Sequence, residues 1–106
     1  KAPLKIAMNP TGTMAYVTNH LSHSVSVLDT DDTNPDNPTL NKQIKVIPVG
    51  AGPYGVVVSS DKKLYVANHY SKNISVIDVD PNSGGFNHVV CNIMIGSIKR
   101  RGHFFY

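Results

Sequence analysis

One stretch of this chain occurs twice, and that repetition restricts the possible folds more than any other feature of the sequence. Residues 15–31 read AYVTNHLSHSVSVLDTD and residues 64–80 read LYVANHYSKNISVIDVD, so the second copy follows the first at an offset of 49 residues. Self-similarity at a fixed spacing of this size is typical of solenoids, propellers and related arrays. The chain is therefore expected to consist of two copies of one structural unit.

The residues within the repeat favour β-strands. Tyr65-Val66 and the run at 74–79 are β-branched or aromatic, and the polar segment 68–73 between them is rich in turn formers. Each copy therefore predicts a hairpin. The second strand is apolar on both faces towards its end, as in strands that are covered on both sides. Sheets that stack on one another, like the blades of a propeller, meet that condition.

The repeat also carries family-specific motifs. Tyr16-Val17-Thr18-Asn19 occurs in the first copy, residues 65–68 read YVAN in the second, and residues 47–55 read IPVGAGPYG. Over residues 3–96 the sequence resembles the YVTN β-propeller repeat family of cell-surface and surface-layer proteins. That resemblance implies an interaction scaffold outside the cytoplasm, at the cell surface, secreted or periplasmic. Similar repeats also occur in lactonases of the 6-phosphogluconolactonase type and in cofactor-bearing oxidoreductase propellers.

We predict an all-β fold of two four-stranded antiparallel blades, a partial propeller within residues 1–96. The blades are placed at about 3–50 and 51–96, and residues 97–106 are predicted to be a divergent basic and aromatic tail. The polar segment 31–41 is predicted to be a surface loop. The predicted strands are 4–8, 14–18, 24–29, 42–49, 54–59, 64–67, 73–79 and 88–95. The side chains predicted to be buried are Tyr16, Val25, Val27, Val57, Tyr65, Ile74, Val76 and Ile93.

Composition and charge agree with this fold and argue against several functions. The chain has 13 Val and 8 Ile but only 5 Leu and no Glu, which favours strands over helices. The net charge of +3 comes entirely from Lys99, Arg100 and Arg101, because the seven Lys and seven Asp of residues 1–98 balance. One basic triplet is too little for a nucleic-acid-binding face. No apolar run is long enough to span a membrane.

Few residues are candidates for chemistry. His20 and His69 occupy equivalent positions, with His23 nearby, and could ligate a metal ion, but the sequence favours polar turn residues repeated by duplication. Asp29 and Asp78 are expected to accept backbone N–H groups in the turns that follow. Asn19 and Asn68 are expected to do the same. Cys91 is predicted to be a small buried or half-buried residue of the fourth strand.

These observations favour a non-catalytic module without a cofactor. The sequence contains no Gly-rich phosphate loop, no G-x-S-x-G, no H-E-x-x-H and no C-x-x-C. The first interpretation is a structural or protein-interaction scaffold, and the alternative is part of a lactonase-like or oxidoreductase propeller. Two blades are expected to leave one face of each uncovered, at residues such as 25–28 or 74–77. Further blades of a longer chain, or self-association, would cover these faces.

Overall fold

The computed structural model describes residues 3–95, and the predicted tail at 97–106 lies outside the described residues. It contains two four-stranded antiparallel sheets, each with its strands in chain order. Blade 1 consists of β1 (Pro3–Met8), β2 (Met14–Asn19), β3 (Ser24–Asp29) and β4 (Gln43–Pro48). Blade 2 consists of β5 (Pro53–Val58), β6 (Lys63–Asn68), β7 (Asn73–Asp78) and β8 (Val89–Met94). The fold is therefore the predicted partial propeller.

The two blades repeat one another in backbone detail as well as in sequence. Tyr16 pairs with Val27 in blade 1, and the equivalent Tyr65 pairs with Val76 in blade 2. A three-residue 3-10 turn (His20–Ser22) joins β2 to β3 and ends at His23, whose φ is 54°. Lys72, the equivalent of His23, has a φ of 53°. These two corresponding residues therefore both adopt the left-handed conformation although their side chains differ.

A single apolar core lies between the two sheets. Because side chains alternate between the faces of a strand, each blade presents one face to the other blade and one face away from it. We call the two facing surfaces the covered faces and the two outward surfaces the open faces. The covered face of blade 1 carries Tyr16, Val25, Val27 and Ile47, and that of blade 2 carries Leu64, Val66, Ile77 and Val79; all eight are buried in one cluster.

The open faces explain which burial predictions fail. Val57 is 59% exposed and Ile93 is 45% exposed, so predicting them as buried was wrong. Both lie on the open face of blade 2, where the described residues place no further sheet. Tyr65 and Ile74 share this face and are half-buried, while Val76 at its centre is buried. The other predicted core residues, Tyr16, Val25 and Val27, are buried as expected.

The prediction that segments 25–28 and 74–77 are uncovered also needs correction, because side chains alternate between the two faces of a strand. Val25 and Val27 lie on the covered face of blade 1, and Ile77 lies on the covered face of blade 2. The open face of blade 1 instead carries Ile6 and Met8, which are exposed, together with Val17 and Val46. A whole strand segment cannot belong to one face, because consecutive residues point in opposite directions.

Candidate functional site

Three connections meet at one end of the stacked blades, which we call the histidine end. They are the β2–β3 turn, the β6–β7 turn and the β4–β5 connection that leads from blade 1 to blade 2. Antiparallel pairing places the end of β2 beside the start of β3, and Pro53 at the start of β5 beside Asn68 at the end of β6. His20, His23 and His69 therefore all lie at this end of the molecule.

His20 and His23 hold the turn of blade 1 to the connection between the blades. His20 Nδ1 lies 3.3 Å from Pro53 O, and its Nε2 lies 3.2 Å from the Tyr70 hydroxyl. Because a carbonyl oxygen only accepts, Nδ1 carries the proton and Nε2 accepts from Tyr70. His23 Nδ1 accepts the backbone N–H of Gly52 at 3.0 Å. Each of these histidines therefore uses a ring nitrogen in a contact between the repeat units.

His69 shares an aromatic neighbour with His20, but its ring makes no hydrogen bond to any of the residues that the structure describes. The ring of Tyr70 lies edge-on to both imidazoles, with centroid distances of 5.1 Å to His20 and 5.3 Å to His69. His69 is exposed, and its backbone N–H donates to Gly52 O at 2.8 Å. Within residues 3–95 no group of three or more His, Cys, Asp or Glu side chains is arranged to hold a metal ion. His20 and His69 remain metal candidates from the sequence alone.

A cleft of about 450 Å³ opens beside His69. It lies where the open face of blade 2 meets the histidine end. Its walls are largely apolar, and Lys72 supplies a cation at the rim. The residues around it include Tyr54, Ala67, His69, Lys72, Ile74 and Ile95. The equivalent region of blade 1 is filled by the start of β5, where Thr18 Oγ1 donates to Tyr54 O at 3.3 Å.

Asn19 and Asn68 do not accept turn N–H groups through their side chains, so that expectation was wrong. Both are buried at the end of the second strand of their blade. Asn68 Nδ2 donates to Asn73 Oδ1 and Ser75 Oγ, both at 2.9 Å. Asn19 Nδ2 donates to Ser24 and Ser26 in the same way. Each amide nitrogen therefore ties the second strand to the third, whereas the buried Asn68 Oδ1 has no hydrogen-bond partner among the described residues.

The repeated aspartates accept backbone N–H groups of the turns that follow, as predicted. Asp29 Oδ1 accepts the N–H of Asp31 at 3.0 Å, and Asp78 Oδ1 accepts the N–H of Asp80 at 2.9 Å. A hydroxyl from the following loop also donates to each carboxylate, from Thr39 to Asp29 and from Ser83 to Asp78. These hydroxyl contacts, and then the backbone N–H groups, lower the pKa of both carboxyls. Both residues therefore stay ionised as anchors of the outer loops.

One buried polar contact connects the blades at the opposite end. The Tyr16 hydroxyl donates to Asn87 Oδ1 at 2.7 Å, and both residues are buried. Burial, and secondarily the nearby carboxylate of Asp78, raises the pKa of Tyr16 to about 12. Asn87 is held in a left-handed conformation, with a φ of 60°, and its N–H donates to Asp78 O. The loop of blade 2 is thereby attached to the core residue of blade 1.

We expect the free energy of unfolding to fall as the pH rises from about 10 to about 12. In that window the unfolded chain loses the Tyr16 proton, whose unperturbed pKa is 10.0, while the folded chain retains it. The unfolded state is then favoured increasingly with pH. Urea denaturation across this range measures the loss, which should be smaller in Tyr16→Phe because no hydroxyl remains to ionise. Equal losses in both proteins would contradict this origin.

Cys91 is exposed, contrary to the expectation of a buried or half-buried residue. It lies opposite Val76 in the β7–β8 pairing and therefore belongs to the open face of blade 2. Its exposure has the same physical cause as that of Ile93, two residues further along the same strand. Alternation places both on the outward side of the outermost strand.

The sequence identified the repeated histidines but missed what they contact. Tyr70, Pro53 and Gly52 take part in the histidine end through long-range contacts. The only sequence signal for Gly52 and Pro53 was the Gly-x-x-Pro-x-Gly segment at 50–55, which marked a repeat boundary and no bonding partner, and Tyr70 was noted only as part of the polar turn segment 68–73.

The fold is similar to that of part of several known proteins. Three similar solved structures are a hydrazine synthase from Kuenenia stuttgartiensis, a candidate 6-phosphogluconolactonase from Bacteroides fragilis and a periplasmic gluconolactonase from Pseudomonas aeruginosa. Their TM-scores are 0.71, 0.72 and 0.71, at sequence identities of 26%, 21% and 21%. The matches cover 90%, 88% and 89% of this chain but 24%, 26% and 27% of those chains, so this chain spans about a quarter of their length. At these identities the likeness establishes the fold.

The amino-acid sequence identifies the family more specifically than the fold does. No curated protein matches the chain. The only helical element within residues 3–95 is a three-residue 3-10 turn, and no helix there could cross a membrane. Residues 2–95 match the family described as "Lactonase, 7-bladed beta-propeller". That match covers most of the 106 residues, and the chain therefore belongs to the seven-bladed β-propeller lactonase family.

Proposed function

We propose that this chain supplies two consecutive blades of a propeller enzyme that hydrolyses lactones. The family match over residues 2–95 is the observation that carries this proposal, and it favours the lactonase alternative over the scaffold. Two of the similar structures carry gluconolactonase names, which suggests the lactone of a sugar acid as substrate. In this proposal residues 1–96 form the blades and residues 97–106 form a separate segment.

The inner strands supply the residues of this chain that would face the substrate. β1 and β5 begin their blades and lie next to one another, as strands beside a propeller axis do. Lys5 carries the only formal charge on these two strands, and its Nζ lies 5.5 Å from the centre of the Tyr54 ring. Its backbone N–H donates to Thr18 Oγ1 at 3.1 Å, which fixes the strand. A cation beside the Tyr54 ring would stabilise the oxyanion that forms when water adds to the lactone carbonyl.

The test is lactone hydrolysis by the complete protein in which these blades occur, followed as acid release from glucono-δ-lactone. Replacing Lys5 by methionine should lower kcat/KM by about tenfold or more, equivalent to about 1.4 kcal/mol of transition-state stabilisation. Lys42→Met is the matched control, because Lys42 is exposed and precedes the outer strand β4. The 106-residue chain alone should show no turnover. If the two Lys variants hydrolysed the lactone equally fast, Lys5 would not contribute to the site.

A scaffold of the YVTN surface-layer type is the second candidate, and one observation favours it. The described side chains most suited to chemistry are engaged within the protein: His20 and His23 bond the β4–β5 connection, and Asp29 and Asp78 bond their loops. The complete absence of Glu adds to this. Lactone hydrolysis no faster than the spontaneous reaction, in a correctly folded complete protein, would favour the scaffold.

We also propose a location in the periplasm or at the cell surface. The support is the YVTN-type repeat together with the fold shared with the periplasmic gluconolactonase of Pseudomonas aeruginosa. Cell fractionation of the native host, followed by detection of the protein, tests this placement. Recovery only from the cytoplasmic fraction would contradict it.

A further inference from the structure

Tyr70 places a phenol on the surface of the histidine end, at a position where the repeat does not require one. Its equivalent in blade 1, at the offset of 49 residues, is Leu21. Tyr70 is 62% exposed, and Leu21 is exposed as well, so neither side chain contributes to the core. Because the corresponding turn of blade 1 carries leucine, the hydroxyl group of Tyr70 is an addition to the repeat.

The ring of Tyr70 is anchored by the connection between the blades. Its backbone N–H donates to Ala51 O at 3.0 Å. The ring packs on Gly52, where a Cβ atom would lie 2.7 Å from Tyr70 Cδ2. A side chain at position 52 would therefore displace the ring, and glycine is what allows the phenol to lie here. Tyr70 thus combines an exposed hydroxyl with a backbone and a ring that are held by residues 51–52.

The hydroxyl of Tyr70 is bonded to a base that is itself oriented. It donates to His20 Nε2 at 3.2 Å, and His20 Nδ1 donates to Pro53 O at 3.3 Å. A hydroxyl, a base within hydrogen-bond reach and a third group that orients the base form the arrangement by which enzymes activate a side chain. The Pro53 carbonyl keeps a proton on Nδ1, so Nε2 is the nitrogen that can take up the proton of Tyr70.

The pair is also connected to the strand that carries the aromatic neighbour of Lys5. Pro53, which accepts from His20, is followed directly by Tyr54, whose ring centre lies 5.5 Å from Lys5 Nζ. A lysine supplies charge for an oxyanion, but hydrolysis also needs a group that takes a proton from the attacking water and returns one to the leaving oxygen. The hydroxyl of Tyr70, with His20 behind it, is suited to that second task.

We propose that Tyr70 and His20 form the acid–base pair that opens the lactone, an inference that rests on the proposed function. The Tyr70 oxygen takes a proton from the attacking water while its own proton passes to His20 Nε2, and the water oxygen bonds to the carbonyl carbon. When the bond between that carbon and the ring oxygen breaks, the leaving oxygen receives a proton back along the same path. One water is consumed for each hydroxy acid formed, and both side chains return to their starting states.

Hydrolysis of glucono-δ-lactone by the complete protein tests the pair. Tyr70→Phe keeps the ring on Gly52 but removes the hydroxyl, and it should lower kcat by about 100-fold with little change in KM. His20→Gln should cause a similar loss, because the glutamine amide can donate and accept hydrogen bonds but does not take up a proton. His88→Gln is the control, since His88 is exposed and its carbonyl accepts from Asp78 N–H at the opposite end. This control should be as active as the unmodified protein.

A double variant separates proton transfer from a structural role of His20. If His20 acts through the Tyr70 hydroxyl, Tyr70→Phe combined with His20→Gln should be about as active as Tyr70→Phe alone, because the effects of coupled residues do not add. Losses that add in the double variant would show that His20 supports the turn independently of Tyr70. That result would overturn the pair.

The failure of the pair is distinguishable from the failure of the proposed function. If Tyr70→Phe were as active as the unmodified protein while Lys5→Met was slower, the pair would be overturned and lactone hydrolysis would stand. If the unmodified protein, shown to be folded by urea denaturation, hydrolysed the lactone no faster than the spontaneous reaction, both would be overturned.

Discussion

Replacing Tyr16 by alanine is expected to lower the free energy of unfolding by about 3–5 kcal/mol, as for other buried aromatic residues. The ring is fully buried between the blades, and its hydroxyl donates to Asn87 in the loop of blade 2. The substitution therefore opens a cavity in the core and leaves the buried Asn87 oxygen without its donor. Domains of this kind are stable by about 5–15 kcal/mol, so a large part of the total would be lost.

The repeat supplies the matched control for this substitution. Tyr65 occupies the equivalent position of blade 2 but lies on the open face and is half-buried. Tyr65→Ala should cost roughly 1–2 kcal/mol in the single chain. Both variants are compared by urea denaturation of the single chain. Equal losses of unfolding free energy at the two positions would show that the contact between the blades adds little to the stabilisation that Tyr16 provides.

Replacing Gly50 by alanine is expected to cost about 1–3 kcal/mol, the range for overpacking a closely packed site. A Cβ atom at this position would lie 2.7 Å from both Asn68 Nδ2 and Asn73 Oδ1. Those two atoms are hydrogen-bonded to each other at 2.9 Å, and Asn68 is buried. The methyl group can therefore be accommodated only by displacing a bonded amide or by separating the blades.

Gly84→Ala is the control for the glycine substitution. Nothing lies within 4 Å of a Cβ atom at Gly84, which is in the exposed loop before β8. Its effect should stay within about 0.5 kcal/mol. Urea denaturation of both variants measures the difference. A Gly50→Ala protein as stable as the unmodified chain would show that the approach of Gly50 to Asn68 is not required for packing of the blades.

The sequence determined the strands, their order and their grouping into two blades. The segment predicted as a strand at 24–29 is β3 (Ser24–Asp29), and that predicted at 4–8 differs from β1 (Pro3–Met8) by one residue. These features depend on local chemistry, namely β-branched residues within strands and turn formers between them. Asp29 and Asp78 were predicted for the same reason, because their partners lie only a few residues away.

The tertiary structure alone decided which of two equivalent residues is covered and what the histidines contact. Tyr16 and Tyr65 have almost the same neighbours in sequence, yet within residues 3–95 only Tyr16 has a second blade against it. His20 meets Pro53, a residue 33 positions away, because the blades stack. A repeated sequence gives equal local preferences to both copies, so burial and bonding differ only through the neighbours that each copy acquires on folding.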